Sequence, residues 1–135
     1  MTRLMPTGTG KLLSNLWTAT PTQTTFTMRY NFGDIVLIEF PYTNGIGIKK
    51  RPALVIYDSG DPDIVVARIT SQSVATGNDI PLSDWKSTGL NVASTVRLHK
   101  VATLEKLLIS RTIGHVSASD EQTITIYLKQ VVAGL

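Results

Sequence analysis

Arg51, Thr70, Ser71 and Gln72 are the residues of this chain best suited to chemistry on an anion. Arg51 ends a run of three cations, Lys49-Lys50-Arg51, and precedes Pro52 and an apolar stretch. A guanidinium presents five donors in a planar fork that matches phosphate. Ahead of the run lie Gly45 and Gly47, which allow backbone conformations closed to other residues. Two readings follow: the loop Asn44 to Arg51 grips an anion, or it is a solvated basic hairpin tip. An ion pair from Arg51 to Asp34 or Glu39 is the structural alternative for the arginine itself. Thr70-Ser71-Gln72 ends another apolar run, where short hydroxyl side chains can donate to phosphate oxygens; polar strand ends also occur without function.

His99 and Lys100 lie between Leu98 and Val101. An imidazole can serve as an acid or base near neutrality, and it can equally be a partly exposed strand residue. His115 follows Gly114 in a turn or cap context and is given no role. Asp58, Asp61 and Asp63 crowd one segment, but without the glutamate and length of a calcium loop they read as turn residues. The histidines lack a metal-binding spacing and there are no cysteines, so neither a metal nor a disulfide is expected. Phosphate-binding glycine loops, dinucleotide fingerprints and the G-x-S-x-G elbow do not occur.

The elements that must position these residues are mostly strands. Asp34 to Phe40, closed by Pro41, alternates so that Val36, Ile38 and Phe40 point one way and Ile35, Leu37 and Glu39 the other. Ala53 to Tyr57 forms a second strand with Pro52 at its start, and Asp58 to Asp63 a turn. Ile64 to Ile69 is a third strand whose continuous apolar character implies burial on both faces. Asp79 to Leu82 is a short edge strand, with Trp85 anchoring its loop. Ser94 to Leu98, extended to Ala102, is a further strand; Thr103 to Lys106 is one helical turn, and Leu107 to Ile113 the last strand.

Ser117 to Leu135 alternates locally at Thr123 to Tyr127. Its two capping-box matches, Ser117-Ala-Ser-Asp120 and Ser119-Asp-Glu-Gln122, and the stripe Ile124, Leu128, Val131, Val132, Leu135 instead predict a helix. The whole predicts a mainly β domain: a small antiparallel barrel or curled sheet with a C-terminal helix packed on it.

Length bounds the chain at one domain, 135 residues. Residues 1–27 are Thr-rich, lack periodicity beyond Lys11 to Trp17, and carry no continuous apolar centre of a signal peptide. They predict a disordered or loosely attached arm, leaving residues 28–135 as the domain. The arm holds Arg3 and Lys11 and no acid, so of the net +3 only +1 belongs to residues 28–135. Global charge therefore says little about partners; the local cation run carries the argument. No apolar run is long enough to span a membrane, and a cytoplasmic location is expected.

The order of these features resembles the PemK/MazF family of toxins. The resemblance rests on Gly33-Asp-Ile-Val36, Lys50-Arg-Pro-Ala-Leu-Val-Ile56, Ile69-Thr-Ser-Gln72 and Ser94-Thr-Val-Arg-Leu-His-Lys-Val-Ala-Thr-Leu104, followed by Ile113-Gly114 and a C-terminal helix. It covers about residues 30–135. It implies an SH3-like barrel, a homodimer, and the toxin half of a type II toxin–antitoxin pair that cuts single-stranded RNA without a metal or cofactor. Cleavage would proceed by attack of the ribose 2′-oxygen on the adjacent phosphate, leaving a 2′,3′-cyclic phosphate.

The family's R-P arginine falls on Arg51 and its threonine on Thr70. Arg51 would stabilise the charge that builds in the transition state, and Thr70 would position the phosphate or the 2′-hydroxyl. Lys49, Lys50, Ser71, Gln72 and Lys100 would hold the RNA. The resemblance also implies an antitoxin protein as partner, whose acidic segment covers the basic groove, with DNA reached only through that complex. Two departures stand out. Many relatives carry a glutamate or glutamine in a longer loop before R-P, where this chain has Ile46-Gly-Ile-Lys-Lys50. No residue plainly supplies a general base, and Asp58 and His99 are the candidates. The alternative of another class is a non-catalytic toxin or binding module of the same fold, such as a gyrase poison or a member that has lost cleavage.

Overall fold

The computed structural model describes residues 28–41, 47–72 and 77–134. The predicted arm, residues 1–27, lies outside them, as do residues 42–46 of the first loop and 73–76. Six strands form one antiparallel sheet: β1 Asp34–Pro41, β2 Ile48–Tyr57, β3 Asp63–Thr70, β4 Asp79–Pro81, β5 Thr95–Glu105 and β6 Ile109–His115. The spatial order is β4-β5-β3-β2-β1-β6. A 3-10 turn, Trp85–Thr88, follows β4; another, Lys106–Leu108, joins β5 to β6; and α1, Ala118–Ala133, ends the chain.

The strand period of two sorts the apolar residues onto two faces. Ile35, Leu54, Ala67, Ile69, Val96 and Leu98 form one core with Val116 and Ile124, and Phe32, Trp85 and Leu128 pack against it. Val36, Ile38, Ala53, Val55, Ile64 and Val66 form the second, covered by Tyr30, Leu104, Leu108 and Ile109. The continuous run of β3 thus serves both cores, as its composition predicts. Among the described residues no ladder joins the edge strands β4 and β6. The 3-10 turn after β4 fills the gap: the Thr88 carbonyl presses on Gly114 of β6, so close that a Cβ there would overlap it. The result is a barrel-like curled sheet with a helix on one core.

Helix α1 starts where the capping pattern places it. The Ser117 hydroxyl accepts the Asp120 N–H at 3.1 Å, satisfying one of the orphan donors of the first turn. The Asp120 carboxylate in turn accepts from the Ser83 hydroxyl (2.7 Å) and the N–H groups of Ser83 and Asp84 (3.0 and 3.1 Å). Burial pushes this carboxyl up, but the donors from Ser83, Asp84 and Ser117 outweigh it and hold it below the ordinary aspartate value. Ile124, fully buried, fastens the helix to the sheet, whereas Val132 of the predicted stripe is exposed.

Three local expectations are corrected. Strand β2 begins at Ile48 rather than Ala53, so Lys49, Lys50 and Arg51 are strand residues and not a loop tip. The reason is that β1 runs to Pro41 and supplies partners as far as Pro41↔Ile48. Pro52 therefore lies inside the strand; pairing with β3 begins only at Ala53, so its missing N–H interrupts no described ladder there. The helical turn expected at Thr103 to Lys106 sits at Lys106–Leu108, because β5 stays paired with β3 through Asp63↔Glu105.

Candidate functional site

The register of the sheet builds the site in two rows. The first crosses five strands: Val36↔Ala53, Ala53↔Arg68, Arg68↔Arg97 and Arg97↔Asp79. Directly opposed residues of antiparallel strands share a face, so Arg68, Arg97 and Asp79 lie on the face of the second core. The next row, two residues along, holds Ile38↔Arg51 and Thr70↔Thr95. Arg51 lies two residues before Ala53 and Thr70 two residues after Arg68, so by the strand period both stay on this face, just past the paired part of β2 and β3. The two positions singled out by side-chain chemistry therefore lie on one face, toward the same end of β2 and β3.

Each brings free donor capacity. Arg51 is exposed, and the carboxylates that might have held it are engaged elsewhere: Glu39 lies 3.8 Å from Lys50 and Asp34 pairs with His115. The Thr70 hydroxyl oxygen accepts the Gln72 N–H at 3.2 Å. This shapes the turn after β3 and leaves the hydroxyl proton to donate outward. A fork of N–H donors and a hydroxyl on one face of adjacent strands make this the candidate anion site.

The other predicted residues divide. Lys49 and Arg51 share one face by the strand period, whereas Lys50 projects to the opposite face, where Glu39 faces it. Ser71 and Gln72 are exposed at the end of β3. His99 and Lys100 sit in a bulge of β5. Ala67 pairs with Val101 while the next residue, Arg68, pairs with Arg97, so Leu98 to Lys100 are extra. The bulge brings His99 Nδ1 to 3.7 Å from Asp79 Oδ1. Asp58 is not in the site. It stands at the far end of β2, seven residues or roughly 23 Å from Arg51, in a buried pair with Lys106 at 2.8 Å. It also accepts from the N–H groups of Tyr30 and Gly60, each at 2.8 Å. Of the loop Asn44 to Arg51 expected to grip an anion, residues 44–46 lie outside the described residues and Ile48 to Arg51 are strand.

Arg68, Arg97 and Asp79 stand in this row although side-chain type alone does not single them out. The signal for Arg68 was available: it lies two residues before Thr70, so the strand period alone puts both on one face. Asp79 could not have been found that way, since its tie to Arg97 Nε (3.3 Å) joins residues 18 apart. His115, given no role, binds two carboxylates: Nδ1 lies 2.9 Å from Asp34 and Nε2 2.9 Å from Glu121. Two carboxylates favour the protonated ring, in which both nitrogens donate, and raise His115 above its ordinary value, so the ring links β1, β6 and α1. Among the described residues no cluster of three His, Cys, Asp or Glu stands ready for a metal ion. Nor, among them, is any helix long and apolar enough to cross a membrane.

Comparison with known proteins bears on this arrangement. A family model described as PemK-like, MazF-like toxin of type II toxin–antitoxin system matches residues 31–132. No curated protein matches the sequence. Among solved structures, an endoribonuclease in complex with its cognate antitoxin from a mycobacterial species superposes with a TM-score of 0.64 at 16% identity, covering 78% of this chain and 96% of that one. The Mycobacterium tuberculosis toxin MazF-mt6 gives 0.60 at 21%, covering 74% and 96%. A MazE–MazF structure from Deinococcus radiodurans gives 0.60 at 16%, covering 78% and 96%. At these identities the likeness is one of fold.

Proposed function

Because the chain belongs to the PemK-like, MazF-like toxins of type II toxin–antitoxin systems, we propose that it is an endoribonuclease acting on single-stranded RNA without a metal. Residues 28–135 are its toxin domain and residues 1–27 an appended arm. The observation that supports this reading is that exposed Arg51 and half-buried Thr70 lie on the same face, toward the same end of the neighbouring strands β2 and β3.

In the proposed reaction the ribose 2′-oxygen attacks the adjacent phosphorus. A 2′-O–P bond forms as the P–O5′ bond breaks, giving a 2′,3′-cyclic phosphate and a 5′-hydroxyl. The 2′-hydroxyl proton is lost and the departing 5′-oxygen gains one, so the step is redox-neutral. Arg51 faces the charge on the non-bridging oxygens; the Thr70 hydroxyl donates a hydrogen bond to the same phosphate. Lys49, Ser71, Gln72 and Lys100 hold flanking backbone. Lys50, on the other face, contributes only where RNA wraps the strand edge. Asp58 takes no part as a base, being buried in its pair with Lys106. His99, two strand spacings or about 10 Å from β2, touches a flanking nucleotide rather than the attacking hydroxyl.

The partners are a second copy of the chain and an antitoxin whose acidic segment covers the Arg51 face. Such a segment would compete with RNA for the same donors. The deciding experiment incubates purified protein with single-stranded RNA in EDTA and maps the product ends. Cyclic phosphate and 5′-hydroxyl ends are expected. Growth inhibition with RNA ends unchanged would favour the non-catalytic toxin instead.

A further inference from the structure

Arg68 and Arg97 stand directly opposite each other across β3 and β5. Like charges in that relation destabilise a sheet. Only one is compensated: Arg97, with 18% of its side chain exposed, reaches the almost wholly buried carboxylate of Asp79. The Arg68 side chain is exposed and, among the described residues, forms no hydrogen bond or ion pair. It lies on the same face as Thr70, two residues earlier, and diagonally across from Arg51. The face thus keeps a guanidinium with no compensating partner among the described residues beside the candidate phosphate site, at an electrostatic cost to the fold.

We propose that Arg68 is a second phosphate-binding residue, holding the RNA phosphate next to the one that Arg51 and Thr70 engage. Asp79 is a positioning residue: by neutralising Arg97 from its buried side it turns that guanidinium away from Arg68 and leaves the outer side of β3 to the RNA. Strands lie about 4.8 Å apart, so β2, β3 and β5 carry Arg51, Arg68 and Arg97 across about 10 Å of sheet. The RNA backbone therefore runs across the strands from β2 toward β5. Its direction brings a flanking nucleotide to His99, beside Asp79. This inference rests on the endoribonuclease reading and adds the path of the substrate to it.

The test measures binding of a non-cleavable single-stranded RNA, with a 2′-deoxy nucleotide at the cut site, to the full chain across a salt series. Each single-strand phosphate contact contributes about 0.7 to the slope of log K against log salt concentration. Arg68→Gln is expected to lower that slope by about 0.7 and weaken binding several-fold at low salt. Arg68→Lys should keep the slope while binding less tightly. The thermal midpoint of Arg68→Gln should not fall, since the change removes a like-charge opposition; Lys129→Gln on the exposed side of α1 should leave RNA binding as it is. An unchanged slope in Arg68→Gln, with wild type binding RNA normally, overturns the subsite alone. Loss of affinity for a polyglutamate peptide with RNA binding intact would assign Arg68 to an acidic protein segment and likewise overturn it. Failure of the wild type to bind RNA at all would overturn the functional reading beneath it.

Discussion

The Lys106 ammonium lies 2.8 Å from an Asp58 carboxylate oxygen, with side chains 5% and 1% exposed. The same Nζ donates to the Met28 carbonyl at 2.9 Å. Burial raises the Asp58 carboxyl, but hydrogen bonds from Lys106, Tyr30 and Gly60 and the attraction of the Lys106 charge bring it below its ordinary 3.8. The pair therefore ties the start of the domain to the β2–β3 turn and the end of β5. Breaking it by removing one partner leaves a buried charge uncompensated. Asp58→Asn or Lys106→Met should each cost about 3–5 kcal/mol in denaturant unfolding, and the double variant less than their sum. Because the folded-state value is depressed, Asp58's contribution is present above pH 3.8 and is lost as pH falls through the lower folded value.

His115 gives the opposite pH dependence. Its hydrogen bonds to Asp34 and then Glu121 raise it above the ordinary 6.5, against some opposition from burial. A raised value means stability that is complete below pH 6.5 and lost as pH climbs through the folded value. With 43% of the imidazole exposed, solvent screening limits the effect to about 1 kcal/mol at most. Thermal midpoints measured from pH 6 to 9 should decline in wild type and flatten in His115→Gln; equal slopes in both proteins would refute the clamp.

Under the proposed mechanism, loss of one transition-state donor sets the expected cost at the candidate site. Arg51→Ala should lower the rate of RNA cleavage by about 10²–10³ without changing unfolding, because the side chain is exposed and has no described partner. Thr70→Val keeps the shape and removes the hydroxyl, and should reduce the rate by a smaller factor. Full activity of Arg51→Ala in a single-turnover assay would sink its assignment.

Gly114 tests how the sheet is closed. A methyl group there would collide with the Thr88 carbonyl, and backbone cannot yield as a flexible side chain does. Gly114→Ala should cost about 1–3 kcal/mol, the range for overpacking, read as a lowered thermal midpoint. Gly77→Ala, with open space around it, is the matched control.

Local pattern sufficed for what depends on neighbours in sequence. The period of two in β1 and β3 separated the faces, the dual burial of β3 followed from its apolar run, and Ser117 capped the helix as its spacing demanded. The choice of Arg51 and Thr70 came from side-chain chemistry and the family resemblance. What the sequence could not supply was register between strands far apart in the chain. That Lys50 faces Glu39 instead of the site, that Asp58 is consumed by Lys106 48 residues later, and that Arg68 opposes Arg97 across a three-residue bulge are decisions of pairing. A one-residue slip would reverse every side chain of a strand. Only the packed sheet, with both cores filled at once, selects the register that puts Arg51 and Thr70 on one face.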